Sequence, residues 1–207
     1  MGKVLAIFLA VVVIEFCEGF ASPPALASVF RRSRRSSSFR CCNDGFDDTA
    51  NHEKFTGIRQ ECAEELKLSE MSEDELLNNH ENLYCLIECI SKKYELADDQ
   101  GNMLHEAMTE AVKEHFSVVE WKVPLLDEFI KDCFDYAEEE HVKHSTEEEG
   151  KCNAEGFHFA YCLWKSFTLA CPDEMRDDSE RCESIRDKLN SNERVSFWNN
   201  DIAEELK

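Results

Sequence analysis

From Phe55 onward, apolar residues recur at intervals of three and four, the period that gives a helix one buried face. Phe55, Ile58, Cys62 and Leu66 open the series. Ser72-x-x-Glu75 has the form of a capping box, in which hydroxyl and carboxylate satisfy the free N–H groups of a helix start, and it leads into Leu76 and Leu77. Leu83, Leu86, Ile87, Ile90 and Tyr94 form the next stripe, which also carries Cys85 and Cys89. Asp98-Asp99-Gln100-Gly101-Asn102 is rich in turn formers, with Asn102 suited to cap the next helix. Leu104, Met108, Ala111, Val112 and His115 then make another face.

Trp121-Lys122-Val123-Pro124 interrupts the period, and proline suits the first turn of a new helix. That helix sets Leu125, Leu126, Phe129, Ile130, Cys133, Phe134 and Ala137 against a charged opposite side. Glu138 to Gly150 reads as a charged loop. Phe157 to Ala170 is apolar nearly all round, which predicts a helix in the middle of the structure, and Pro172 stops it. A last helix is predicted over Asp178 to Leu189. The tail from Ser191 to Lys207 holds Phe197 and Trp198 between polar residues. With only 7 glycines and 4 prolines in 207 residues, a turn-rich β-sandwich is disfavoured and an all-α chain expected.

The first residues have a different character. Met1-Gly2-Lys3 is a short positive start, and Val4 to Ile14 is an apolar run of 11 residues. Such a run is too short to span a bilayer and fits a signal-peptide core. Gly19-Phe20-Ala21 places small residues where a signal peptidase reads, so residues 1–21 are expected to be removed and the protein secreted. Residues 22–54 read as a flexible arm rich in Arg and Ser. Within it, Arg32-x-Arg34-Arg35 has the basic spacing that secretory convertases accept. The helical domain is expected over 55–190 and the tail over 191–207.

Charge and cysteine content narrow the functional classes. A formal charge of −21 argues against a nucleic-acid partner, because phosphate contacts need clustered cations. Mutual repulsion favours a monomer or a weak homodimer. No later stretch approaches ~18 consecutive apolar residues, so no integral membrane segment is expected in the mature chain. Removal of Cys17 with the leader leaves ten cysteines, an even number that in an oxidising compartment reads as five disulfides. The zinc alternative lacks the Cys-x-x-Cys knuckles such sites favour, so no metal or other cofactor is expected.

Catalytic motifs are missing as well. The chain has neither a Gly-x-Ser-x-Gly elbow nor a glycine-rich phosphate loop. His141-x-x-His144 lies among glutamates in a stretch that reads as a solvated acidic loop. Carboxylates cover every polar face, so paired acids carry no information, and the chain is not expected to be an enzyme.

The cysteine spacing is the most specific signal. Three residues separate Cys85 from Cys89, 43 separate Cys89 from Cys133, and eight separate Cys162 from Cys171. With Cys62 upstream, this resembles the six-cysteine pattern of insect odorant-binding proteins. Cys152 and Cys182, and Pro172 directly after Cys171, are similar to the Plus-C subgroup. The resemblance implies a disulfide-stapled bundle of six or more helices around an apolar cavity. It implies the pairs Cys62–Cys89, Cys85–Cys162 and Cys133–Cys171, first with third, second with fifth and fourth with sixth. Cys41 and Cys42 are then left to Cys152 and Cys182, in an order the sequence does not set.

The function implied is reversible carriage of small apolar ligands such as odorants or pheromones, with a chemosensory receptor as a further partner. A secreted helical signalling protein acting through its surface is the alternative. The cavity is expected to be lined by Met108, Val112 and Phe116 from one helix and by Leu125, Phe129 and Ile130 from the next. Phe159, Leu163, Trp164 and Phe167 would complete it from the central helix. Tyr136 and His115 are the candidates for polar specificity. Acidification, by changing the charge of carboxylates and of His115, His141 and His144, is a candidate trigger for release.

Overall fold

The computed structural model describes residues 41–44, 49–68, 80–145, 152–193 and 195. Among them are six α-helices and two 3-10 turns: α1 Thr49–Glu65, α2 His80–Lys93, α3 His105–Phe116, α4 Leu126–Ser145, α5 Glu155–Leu169 and α6 Glu180–Asn190. The 3-10 turns are Val123–Leu125 and Asp173–Met175. Among the described residues, β-pairing is limited to two isolated antiparallel bridges, Cys42 with Arg176 and Ala97 with Met103. The expected leader, the Arg/Ser-rich stretch to Arg40, the capping box at Ser72 and the aromatic pair Phe197-Trp198 lie outside the described residues.

α5 is the central helix, as its apolar surface predicts. It packs on α2, α4 and α6, most extensively on α4, while α1 lies on α2 and α3 on α4. Phe157, Phe159, Ala160, Leu163, Trp164 and Phe167 of α5 are all buried. Two side chains at its N-terminus fix how it enters the bundle. Asn153 Oδ1 accepts from the Glu155 N–H at 2.8 Å, and Glu155 Oε2 accepts from the Met103 N–H at 3.0 Å, tying α5 to the start of α3. Gly156 lets α2 come close, since a Cβ there would sit 3.2 Å from Ile87 Cγ2.

Two boundaries differ from the periodicity. α4 runs on to Ser145, through residues expected to be loop. Its last turns are charged, and the exposed Lys143 pairs with Glu140 one turn back at 2.8 Å, the i,i+3 arrangement that supports a helix without an apolar stripe. α1 begins at Thr49, six residues before Phe55 and inside the stretch read as flexible arm. Cys41 to Asp44 also belong to the folded body. Cys41 is buried, the Asn43 N–H donates to Met175 O at 2.6 Å, and the Asp177 N–H donates to Cys41 O at 3.2 Å. This segment is therefore laid along the chain between α5 and α6, held by one bridge and these hydrogen bonds.

All ten cysteines among the described residues are bridged, and the pairing corrects the expected one. Cys62–Cys89 staples α1 to α2 as expected. Cys85 bonds Cys152, not Cys162. Cys133 bonds Cys162, not Cys171, and so staples α4 to α5. Cys41 bonds Cys182, and Cys42 bonds Cys171, not Cys152. The order first–third, second–fifth, fourth–sixth still holds, with Cys152 and Cys162 as fifth and sixth. The sequence offered two nearly equal spacings, nine residues from Cys152 to Cys162 and eight from Cys162 to Cys171. Helix geometry separates them. Cys162 lies midway along α5 against α4, whereas Cys152 precedes α5, where the Cα of Cys85 is 4.9 Å away.

Candidate functional site

The interior between α3, α4 and α5 is aromatic, and Phe167 is its hub. Its ring lies 4.8 Å from Phe116, 5.4 Å from Phe129 and 6.0 Å from Trp121, the last two edge-on. Edge-on and tilted contacts of this kind add to area burial because the positive ring edge meets the negative face. One turn toward the N-terminus, Trp164 contacts Tyr161 at 5.8 Å. Further along, Phe159 stacks on Phe134 at 4.6 Å, and Phe134 stacks in turn on the imidazole of His105 at 4.0 Å.

Of the ten residues expected to line a ligand site, Met108, Val112, Phe116, Ile130, Phe159, Leu163, Trp164 and Phe167 are buried in one contiguous core, and Phe129 packs against it. Leu125 stands apart: it is half-buried in the 3-10 turn before α4 and is not among the residues of that core. His115 is buried beside Phe116, ring to ring at 4.8 Å. Tyr136 meets a different histidine, the buried His158, at 6.3 Å, in a second aromatic group with Tyr84 and Phe157. His141 lies on α4 and not in a loop.

Sequence reasoning missed a polar group in the aromatic zone. Lys122 is buried, and its Nζ sits 2.6 Å from Asp44 Oδ2, with both side chains 6 % exposed. The same ammonium lies 4.8 Å from the Phe116 ring centre, 5.2 Å from Phe167 and 5.3 Å from Trp121. Three ring faces and the Asp44 carboxylate thus stand around the ammonium, surroundings that suit a buried cation. The local chain explains the placement. Turns from Phe116 O to Val119 N, Val119 O to Lys122 N and Lys122 O to Leu125 N succeed one another at 2.9–3.0 Å and direct the residue inward. Trp121 Nε1 is buried beside it and finds no acceptor among the described residues. The sequence carried no period here to signal either residue, and Asp44 comes from 78 positions upstream.

Glu81, Cys85 and Cys152 also converge, with ligand atoms within 4.8 Å of one another. Both sulfurs are spent in the Cys85–Cys152 bridge, and Glu81 Oε1 accepts from the Cys152 N–H at 2.9 Å. This group is a capped disulfide with no thiolate to offer a metal.

Six helices, the core bridges Cys62–Cys89, Cys85–Cys152 and Cys133–Cys162, and an aromatic interior form one architecture, and residues 46–166 match the PBP/GOBP family. The chain belongs to the PBP/GOBP family. This is the insect odorant-binding protein family, whose members are secreted all-α binding proteins and not enzymes. The match ends between Cys162 and Cys171, so it contains the six cysteines of the three core bridges and excludes Cys171 and Cys182. No curated protein and no solved structure matches the chain. Among the described residues, no helix is long and apolar enough to cross a membrane.

Proposed function

We propose that this member of the PBP/GOBP family is a secreted carrier that reversibly binds small hydrophobic molecules, such as odorants or pheromones, in the aromatic interior between α3, α4 and α5. The observation that carries the reading is the Phe167 cluster inside a family of soluble carriers. Aromatic side chains offer broad apolar contact at low entropic cost, and Met108 adapts its shape. A ligand of ~12–16 heavy atoms at about −0.5 kcal/mol each gives micromolar affinity. Two bridges beyond the core three, Cys41–Cys182 and Cys42–Cys171, support the Plus-C subgroup. Pro172 counts less toward it, because it comes after a later cysteine and not the sixth. The leader sequence and five bridges support secretion. Delivery to a chemosensory receptor as a monomer or weak homodimer completes the proposed role.

A fluorescent apolar probe titrated into the mature protein tests this. Phe129→Ala and Trp164→Ala are expected to weaken binding several-fold, and Lys143→Ala, on the surface, to leave it unchanged. If no apolar probe binds at micromolar concentration, the carrier reading falls and a surface-acting signalling protein takes its place.

A further inference from the structure

We propose that the polar end of the ligand site is the Trp121 indole N–H, and that the Lys122–Asp44 pair beside it makes the site select neutral acceptor heads, such as ketones, aldehydes and esters, over carboxylates. The inference rests on the carrier reading and names its substrate class. Trp121 is packed edge-on against Phe167, the hub of the aromatic interior. Its Nε1 is buried and has no acceptor among the described residues. A buried donor without a partner is costly, and native structures nearly always satisfy one with protein, water or ligand. An oxygen acceptor on an apolar chain lying along Phe167 would meet that need while leaving the chain among the rings.

The charge state of the neighbourhood decides which oxygen is accepted. The Lys122 ammonium lies over the Trp121 ring, and Asp44 Oδ2 at 2.6 Å already neutralises it. A ligand carboxylate would bring a second negative charge next to the buried Asp44, in surroundings where like charges repel strongly. A ketone or ester oxygen adds no charge and can accept from Trp121 without disturbing the pair. Asp44 is thus the selectivity residue. It reaches the site because Cys42 is bridged to Cys171 and Asn43 is hydrogen-bonded to Met175.

The experiment displaces N-phenyl-1-naphthylamine from the full mature protein with three eleven-carbon competitors: undecane, 2-undecanone and undecanoate. For the wild type, the ketone is expected to bind about fivefold tighter than the alkane, the yield of one neutral hydrogen bond of about 1 kcal/mol, and undecanoate no tighter than the ketone. Trp121→Phe keeps the ring and removes the donor, so the ketone should fall to the alkane's affinity while the alkane is unchanged. Asp44→Asn removes the negative charge that would face a ligand carboxylate and should raise undecanoate affinity at least tenfold, with less than a twofold change for the ketone. An unaltered ketone-to-alkane ratio in Trp121→Phe means that water alone serves the indole and overturns the proposal. So does an Asp44→Asn protein, folded by circular dichroism, that gains nothing for undecanoate. In either case, continued binding of the naphthylamine and undecane leaves the carrier reading standing; if neither binds the wild type, that reading fails.

Discussion

Gly101→Ala perturbs the structure at a single methyl group whose consequences can be worked out. Gly101 has φ +89°, where an L-residue is strained by roughly 1–2 kcal/mol. Replacing glycine with alanine recovers about 0.4–1 kcal/mol through the unfolded chain, so about half of that strain remains. A Cβ at this position would lie 2.7 Å from Glu88 Cδ and 3.0 Å from Asn153 Cβ. The Glu88 carboxylate must then move. It accepts from the Asn153 N–H at 2.5 Å and pairs with Lys92, and a hydrogen bond to a charged group contributes about 1.5–3 kcal/mol. The expected total is about 3 kcal/mol. Urea denaturation with disulfides intact measures it. Glu88→Ala removes the obstructing carboxyl, so Gly101→Ala in that background should cost only about 1 kcal/mol. A cost below ~0.5 kcal/mol in the wild type, or an equal cost in both backgrounds, would show that the turn does not press on Glu88 and refute the reasoning.

Other expectations are simpler. Phe167→Ala removes the hub of the aromatic interior and should cost about 3–5 kcal/mol in urea denaturation, well above Leu125→Ala, which lies outside the core. Glu95, exposed at φ +58° just after α2, should stabilise the protein by about 0.5 kcal/mol when changed to Gly, since relief of left-handed strain exceeds the entropic cost. The Asp98 carboxyl is held below its ordinary value of 3.8, first by the Asn102 side chain and then by backbone N–H groups of its turn. Because the folded value is depressed, its stabilisation is present above pH 3.8 and is lost as pH falls through the folded value. Asn102→Ala should move the Asp98 titration up toward 3.8, read by carboxyl-carbon NMR.

The sequence showed α2, α3, α5, α6 and the first half of α4, because each buries a face and burial leaves a period. It did not show α1's first turns or α4's last ones, where helix is sustained without an apolar stripe. The cysteines were readable as a framework but not in register. Cys152–Cys162 and Cys162–Cys171 are almost equally spaced, and only the position of α5 tells them apart. Most residues of the aromatic interior were legible for the same reason as the helices. Trp121, Lys122 and Asp44 were not, because an ion pair between a turn and a segment far upstream leaves no mark on local periodicity.

The bridges Cys41–Cys182 and Cys42–Cys171 enclose the other three disulfides among the described residues, and this has a consequence for survival among proteases. A single cut anywhere between Cys42 and Cys171 leaves the two pieces covalently joined. Two cuts, one in 69–79 and one in 146–151, still release nothing. The fragment between them keeps Cys85, Cys89 and Cys133, each bonded to a cysteine outside it. Nicked molecules would therefore run at full mass on a non-reducing gel and fall apart only on reduction. The topology lets backbone integrity fail piecemeal while the molecule stays whole.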